Sequence, residues 1–242
     1  MPRVAPIVPS ESDLLCEGCG YTLKGLPLDG NCPECGKPIA QSVGEHRHPS
    51  EFEQSPNPKT FLRTTANVIF HPAQFYKSLE TRSHKPTADR FAQVHRAIAA
   101  TLFVMAALGH FLWALDTSSS AIDPAHELML VIFAAGAMYL ILLGLTRLAT
   151  WLSAIEAKYW GMRLPYFVVM RGLTFHNANY LPVGLLAVGI VWGYRVLLNE
   201  NILDRTRDTI YLYTLCIAVV ISAGYLFRNY WIAMRSMMYA NR

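Results

Sequence analysis

The sequence has few charged residues and lacks the patterns that mark several large classes of protein. Asp, Glu, Lys and Arg make up 16% of the 242 residues and hydrophobic residues 52%, whereas an ordinary soluble domain has about 25% charged residues. This composition excludes intrinsic disorder, collagen and coiled coil, and it disfavours a soluble enzyme. The net charge of +4 comes without a basic stripe, so we expect no nucleic-acid partner.

Three further absences concern targeting, repeats and disulfides. The opening residues are rich in proline and lack the apolar stretch of a secretory signal peptide, so we expect none. No internal repeat is evident. Four of the five cysteines lie between positions 16 and 35, and Cys216 stands alone in an apolar run. A disulfide scaffold would spread its cysteines along a secreted chain, whereas this cluster predicts a metal site in a reducing compartment.

What the sequence has in abundance is long apolar stretches. Four windows contain no Asp, Glu, Lys or Arg: residues 97–115, 128–146, 172–194 and 209–227. Each has about the 20 residues that a helix needs to cross a hydrocarbon core about 30 Å thick. Backbone amides in lipid need internal partners, so the windows predict four transmembrane helices, at about 97–115, 128–150, 176–198 and 209–231. The alternative is a soluble helical core, which the lack of a polar helix face disfavours.

The positions of Lys and Arg around the windows predict the orientation. One side of the windows comprises the twenty residues before the first window, the loop 147–171 and the residues after 227, and it holds twelve Lys and Arg; the loops on the other side hold three. By the positive-inside rule, we expect a protein of the cytoplasmic (inner) membrane with both termini in the cytosol. A reduced cysteine cluster near the N-terminus agrees with this placement.

The N-terminal cysteines form two Cys-x-x-Cys pairs, Cys16/Cys19 and Cys32/Cys35, each followed by a glycine. Two such pairs separated by twelve residues can supply four thiolates to one tetrahedral ion. The glycines allow tight turns whose amides point at sulfur. We therefore expect a closed, structural Cys₄ zinc site that supplies most of the folding free energy of its module. A redox dithiol pair and a rubredoxin-like iron site are the alternatives.

The residues around these cysteines also carry a family resemblance. The stretch Cys-x-x-Cys-Gly-Tyr-x-Leu-Lys-Gly-Leu, ending in Cys-Pro-Glu-Cys-Gly, resembles the short zinc ribbons fused to bacterial membrane proteins. The resemblance covers residues 14–40 and implies a small β-type module. Residues 1–13 and 41–58 are rich in Pro, Ser, Glu and His, and we expect a flexible tail and a flexible linker there.

Residues 59–90 are expected to form amphipathic helices beside the membrane. Their apolar residues recur at roughly helical spacing, and Pro72 is placed to begin a second helix. Such a segment either lies in the interface plane or packs on the end of the bundle.

A second resemblance comes from the same region. The run Asn-Val-Ile-Phe-His-Pro-Ala-Gln-Phe-Tyr-Lys-Ser-Leu, placed shortly before a set of hydrophobic spans, is similar to the beginning of the Yip family of membrane proteins. The likeness covers residues 65–230. It implies a cytosolic N-terminal region, a small helical bundle and a role in membrane organisation and trafficking. Yip proteins typically have five spans, whereas this sequence has four.

Ionisable residues near the spans are candidate functional residues. Glu156 and Arg147 lie next to the second span and His176 opens the third. A Glu and a His in one loop can bind a metal, relay protons or act as acid and base. We favour a structural interpretation, in which Glu156 pairs with a nearby Arg and His176 caps a helix, because no HExxH-like or serine–histidine motif accompanies them.

Together these observations predict an all-α integral membrane bundle of four transmembrane helices, within residues 91–242, with a small β-type N-terminal zinc ribbon. We expect a non-catalytic adaptor or scaffold: the ribbon binds a cytosolic or membrane protein, or a second copy of the chain, and the bundle holds it in the lipid bilayer. One alternative is an intramembrane carrier or enzyme that uses Glu156 and His176. Another is a metal sensor in which zinc occupancy signals through the linker.

Overall fold

Helices make up nearly all of the regular structure in the computed structural model, which describes residues 9–10, 13–43, 47–81, 86–114, 124–199 and 208–241. Within these ranges the helices are α1 (Glu51–Gln54), α2 (Pro58–Phe70), α3 (Pro72–Ser78), α4 (Pro86–Ala114), α5 (Pro124–Tyr159), α6 (Tyr166–His176), α7 (Tyr180–Asn199) and α8 (Asp208–Met237). The chain divides into two units. The first unit comprises Met1–Phe91, Thr146–His176 and Asn229–Arg242, and the second comprises Ala92–Leu145 and Asn177–Arg228.

Four stretches of these helices are long and apolar enough to cross a membrane, which confirms that prediction. They are Pro86–Phe111, Leu128–Tyr159, Tyr166–Asn199 and Thr209–Met237. The first begins at Pro86, eleven residues before the predicted position 97. The prediction used the end of the charge-free window, but charged residues limit how far a helix enters lipid and do not end the helix itself. The third consists of α6 and α7, joined by the 3₁₀ turn Asn177–Asn179.

The surface of these helices fits a lipid environment. In the most apolar windows of the second and fourth stretches only 6% of the residues are buried, and large side chains such as Phe133 and Val220 are exposed. Soluble proteins rarely expose continuous apolar surface on this scale. The exposure therefore argues against the alternative of a soluble helical core.

In the second unit, α4 packs closely against α5 and α7. Ala99 and Ala100 of α4 form a buried cluster with Leu142 of α5. A side chain at Gly184 of α7 would place its Cβ 2.8 Å from Cβ of Leu102, and one at Gly109 of α4 would lie equally close to Val191 Cγ1. These two glycines allow the close approach of the helices.

In the first unit, the segment 41–58 differs from the expected flexible linker. Ser50 caps α1 through a capping box with Glu53. The Glu53 carboxylate, fully buried, forms an ion pair with Arg171 of α6, with Nη1 2.6 Å from Oε1 and Nη2 2.7 Å from Oε2. A segment rich in Ser and Glu is expected to be solvated. Here Ser50 and Glu53 instead form hydrogen bonds with each other, and Glu53 also accepts one from the buried Arg171 guanidinium.

The region 59–90 contains α2, α3 and the beginning of α4, and α3 begins at Pro72 as the sequence predicts. Asn57 caps α2 through a capping box with Thr60. The helix buries Val68 and leaves Leu62 and Phe70 exposed. One apolar set therefore packs within the unit, while a second set remains on its surface.

The cysteine-bearing segment has less sheet structure than the expected β-type ribbon. Its described residues form two isolated antiparallel bridges, Leu15–Thr22 and Asn31–Pro38, in place of strands. A small core of Cys16, Leu23, Cys32 and Ile39 lies between them. Each bridge closes a loop of only a few residues, which leaves no length for a ladder. The expected flexible tail lies mostly outside the described residues, apart from 9–10 and 13.

Candidate metal centre

The two cysteine pairs lie on loops with the same backbone structure. In the first, the Cys16 N–H donates to Tyr21 O (2.8 Å) and the Gly20 N–H to Cys16 O (2.8 Å). In the second, the Cys32 N–H donates to Lys37 O (2.8 Å) and the Gly36 N–H to Cys32 O (2.9 Å). We name them loop 1 (residues 14–23) and loop 2 (residues 30–39).

Loops 1 and 2 have the same pattern of backbone hydrogen bonds, at positions offset by sixteen residues in sequence. Leu23 N–H donates to Leu14 O, and Ile39 N–H donates to Gly30 O in the same way. Gly20 and Gly36 have φ values of +84° and +71°, a left-handed conformation that glycine adopts without steric cost. The glycine turns are therefore confirmed, and the sequence does contain a short repeat that the sequence analysis did not identify.

The loops bring all four cysteine sulfurs together. The Sγ atoms lie within 4.8 Å of one another, with 3.5 Å between Cys16 and Cys35 and 3.6 Å between Cys19 and Cys32. None of the four is in a disulfide. Four thiolates about 2.3 Å from one tetrahedral ion lie about 3.8 Å apart, so the four sulfurs fit a metal ion with small adjustments.

Protonation is shared unequally among the four thiols. Burial raises the pKa of Cys16, but the amides of Gly18 and Cys19 and the neighbouring thiols outweigh it and lower that pKa to about 7. Burial raises the pKa of Cys19 to about 12, helped by the other three cysteines. At Cys35 the Lys37 amide favours the thiolate, but desolvation and the contact with Cys16 raise the pKa overall. Cys16 therefore ionises most readily, and its negative charge opposes the ionisation of Cys19 and Cys35. A bound cation would neutralise the charge of the thiolates and remove this opposition.

Asn241, near the C-terminal end, binds both sequence neighbours of Cys16, Leu15 through its backbone and Glu17 through its side chain. The Leu15 N–H donates to Asn241 Oδ1 (3.0 Å), and Asn241 Nδ2 donates to Leu15 O (2.6 Å) and Ser42 O (2.8 Å). The Asn241 N–H donates to Glu17 Oε1 (3.0 Å). Loop 1 is thus joined to the residues that follow α8.

Two arginines extend this contact. Arg163, in the turn between α5 and α6, donates to Asp13 O (2.6 Å) and to Ala240 O (2.9 Å). Arg47 binds both carboxylate oxygens of Glu17, and its Nη2 also donates to Ser236 O (3.0 Å). These side chains hold the cysteine loops against the rest of the first unit, where the sequence predicts a zinc ribbon on a flexible linker.

The other predicted site residues lie in different surroundings. Glu156 and Arg147 are exposed on α5, nine residues apart, which is about 13 Å along a helix, so they do not pair. His176 is the last residue of α6 and is 5% exposed. The Glu156 side chain is therefore exposed, whereas the His176 imidazole is enclosed within the first unit.

Sequence reasoning found the four cysteines and missed the residues that dock their module. Glu17, Arg47, Arg163 and Asn241 carry no motif, and their partners are mostly backbone carbonyls far away in sequence. In the sequence, Arg163 is recognisable only as one positive charge in a loop. No protein-family model, curated protein or solved structure matches the chain, so these residues alone carry the argument about function.

Proposed function

We propose that the protein is a non-catalytic membrane adaptor or scaffold whose Cys₄ cluster holds a structural zinc ion. The observation that carries the proposal is the cluster of four mutually close sulfurs in a chain with four helices apolar enough to span a membrane. Within the described residues no His, Asp or Glu joins the four cysteines as a further ligand. A Cys₄ site without an open position stabilises its module and performs no chemistry.

Zinc is supported by the donor set and by the packing around it. Thiolates select soft or borderline metals, and tetrahedral four-sulfur sites in small modules are typical of Zn²⁺. The buried core of the module consists of Leu23, Ile39 and the two cysteines Cys16 and Cys32. A core this small contributes little folding free energy, so the metal supplies most of it.

Loop 2 and the segment before it form the surface on which a partner can dock. Cys35 is exposed, an added Cβ at Gly36 would meet no atom within 4 Å, and Leu28 is 58% exposed. Loop 1, in contrast, is covered: a Cβ at Gly20 would lie 2.6 Å from the Tyr239 ring. Leu28 is the aliphatic side chain that we propose as the anchor for a protein partner at this surface.

Two observations support the proposed placement in the membrane. Asn241 contacts Leu15 and Glu17, which supports a topology with these residues on one side of the bilayer, as an even number of spans between them requires. The excess of Lys and Arg on that side supports a cytosolic position. The cysteine module then faces the reducing compartment in which thiolates stay free to bind metal.

The test is affinity capture of the detergent-solubilised protein and comparison of the bound proteins between variants. Leu28→Ser should lose one specific partner while retaining the metal, and Cys32→Ala should lose both. The matched control is Leu62→Ser, which alters a similarly exposed leucine on α2. An unchanged set of partners in Leu28→Ser and Cys32→Ala would contradict the adaptor role.

A metal sensor is a second candidate, favoured by the contacts of Asn241 on both sides of Cys16. Loss of the metal would disorder loop 1 and release the residues after α8, without any need for a flexible linker. Chelation should then expose Tyr239 to chymotrypsin. If cleavage after Tyr239 is equally slow with and without metal, the cluster has a structural role only.

A further inference from the structure

Arg96 of α4 lies inside the second unit with only uncharged partners. It is 6% exposed. Its Nε donates to Asn177 Oδ1 (3.3 Å), its Nη1 donates to the Tyr139 hydroxyl (3.4 Å), and its Cζ lies 5.2 Å from the centre of the Tyr139 ring. The guanidinium is therefore positioned by α5 and by the turn that begins α7.

No carboxylate of the described residues forms an ion pair with Arg96, and its Nη2 has no hydrogen-bond acceptor among them. The contrast with Arg171 is informative, since that buried guanidinium has Glu53 as its counter-ion. A charge removed from water is costly unless an opposite charge or several hydrogen bonds compensate for it. Two hydrogen bonds longer than 3.2 Å and one cation–π contact compensate only in part.

We propose that Arg96 is the centre of a binding site for a phosphate-type oxyanion. The planar guanidinium has a second edge, at Nη2, that can donate to an anionic oxygen, and its fork geometry matches phosphate. Asn177 and Tyr139 hold the group in one orientation, so the ligand does not have to order a flexible side chain. The side-chain amide of Asn177, 1% exposed, belongs to the same buried polar group.

The position of Arg96 in the sequence specifies where the oxyanion comes from. It is the last charged residue before the charge-free stretch 97–115. Ionisable residues inside membrane bundles mark binding sites, and basic sites between helices bind anionic lipid head groups. A lipid phosphodiester and a free phosphate ion present the same oxygen chemistry, and the two sources can be separated by experiment.

The test measures the thermal unfolding of the full chain in neutral detergent. One arm adds phosphatidylglycerol to the micelles, and the other adds sodium phosphate against sodium chloride at equal ionic strength. An anion that binds only the folded protein raises the unfolding midpoint. Stabilisation by phosphatidylglycerol alone identifies a lipid as the source, and stabilisation by phosphate identifies the free ion; either result supports the site.

Variants make the test specific to Arg96. Arg96→Gln should bind the anion at least about tenfold more weakly, the effect of one lost charge-assisted hydrogen bond. The matched control Arg228→Gln removes the exposed arginine that borders the window 209–227 and should bind like the wild type. If Arg96→Gln does not fold, Arg96→Lys replaces it, with an intermediate loss expected because Lys lacks the fork. The proposal is overturned if neither anion stabilises the wild type, or if the Arg96 and Arg228 variants respond equally.

Discussion

At the scale of single residues, arginine side chains join separate segments of the first unit through hydrogen bonds to backbone carbonyls. Arg47 donates to the carbonyls of Tyr76, Leu79 and Ser236 while its other edge binds Glu17. A guanidinium has five N–H donors in one plane, so it can satisfy chain ends and loop carbonyls that have no helical partner. The polar contacts of the first unit depend on this multiplicity more than on any one ion pair.

Glu53→Gln should destabilise the protein far more than Glu51→Gln, although both residues lie on α1 and both pair with an arginine. Glu53 and Arg171 are almost fully buried, whereas the Glu51 and Arg63 side chains are 43% and 57% exposed. Removing one member of a buried pair costs about 3–5 kcal/mol, and an exposed pair contributes about 1 kcal/mol or less. Thermal denaturation of both variants in detergent measures the difference; equal losses would mean that Arg171 finds another acceptor.

Gly20→Ala and Gly36→Ala form a second matched pair. Both residues have positive φ, so each alanine costs about 1–2 kcal/mol of backbone strain. The methyl group at position 20 would also collide with the Tyr239 ring, whereas position 36 is open. Gly20→Ala alone should therefore accelerate chymotrypsin cleavage after Tyr239, as read by mass spectrometry. The same acceleration in Gly36→Ala would show that loop strain, and not the contact, holds that segment.

At the scale of elements, the cysteine module is two copies of one loop that face each other across four sulfurs. Each loop closes on itself with backbone hydrogen bonds, and its glycine completes the turn. Neither loop has enough apolar surface to fold alone. Binding of the metal is therefore coupled to folding, and protons compete with the metal for the sulfurs.

This competition predicts a steep dependence of metal affinity on pH. The pKa values of Cys19 and Cys35 are raised, so both thiols hold their protons at neutral pH and both protons must leave when a metal binds. Each displaced proton makes the affinity rise about tenfold per pH unit, or about a hundredfold for two. Below pH 7, protonation of Cys16, whose pKa is about 7, should make the slope steeper still.

The measurement is a titration of Zn²⁺ against a chelator of known affinity at pH 6.5, 7.0 and 7.5. A Cys35→Ser variant, which loses one thiolate, should bind more weakly and with a shallower slope. An affinity that does not change over this range would show that the four thiols are already ionised without metal.

The elements that follow from local pattern were predicted, and those that depend on distant partners were not. Hydropathy alone locates the four helices that are apolar enough to span a membrane, and spacing alone locates Cys16, Cys19, Cys32 and Cys35. The segment 41–58 has a composition typical of a linker, and only the buried Arg171, more than a hundred residues away, explains its order. Arg96 likewise counted as one cytosolic charge, because sequence does not show that its neighbours in space are Asn177 and Tyr139.

At the scale of the whole molecule, the number of spans and the contacts of the chain ends constrain each other. The contact of Asn241 with Leu15 agrees with an even number of crossings by the four apolar stretches of the described residues. The topology therefore depends on an observation that is independent of hydropathy.

The last prediction concerns which side of the membrane the two ends occupy. We expect a fluorescent protein fused after residue 242 to fold and fluoresce in the cytosol of a bacterial host, and alkaline phosphatase fused there to be inactive. A cysteine introduced at position 119, in the loop 116–127 that lacks Lys and Arg, should react with a membrane-impermeant maleimide from outside the cell. Cys216→Ser in the same chain removes the background thiol of the fourth span. Active phosphatase at the C-terminus, with no labelling at position 119, would invert the orientation and place the cysteine cluster in an oxidising compartment, where four free thiols would not persist.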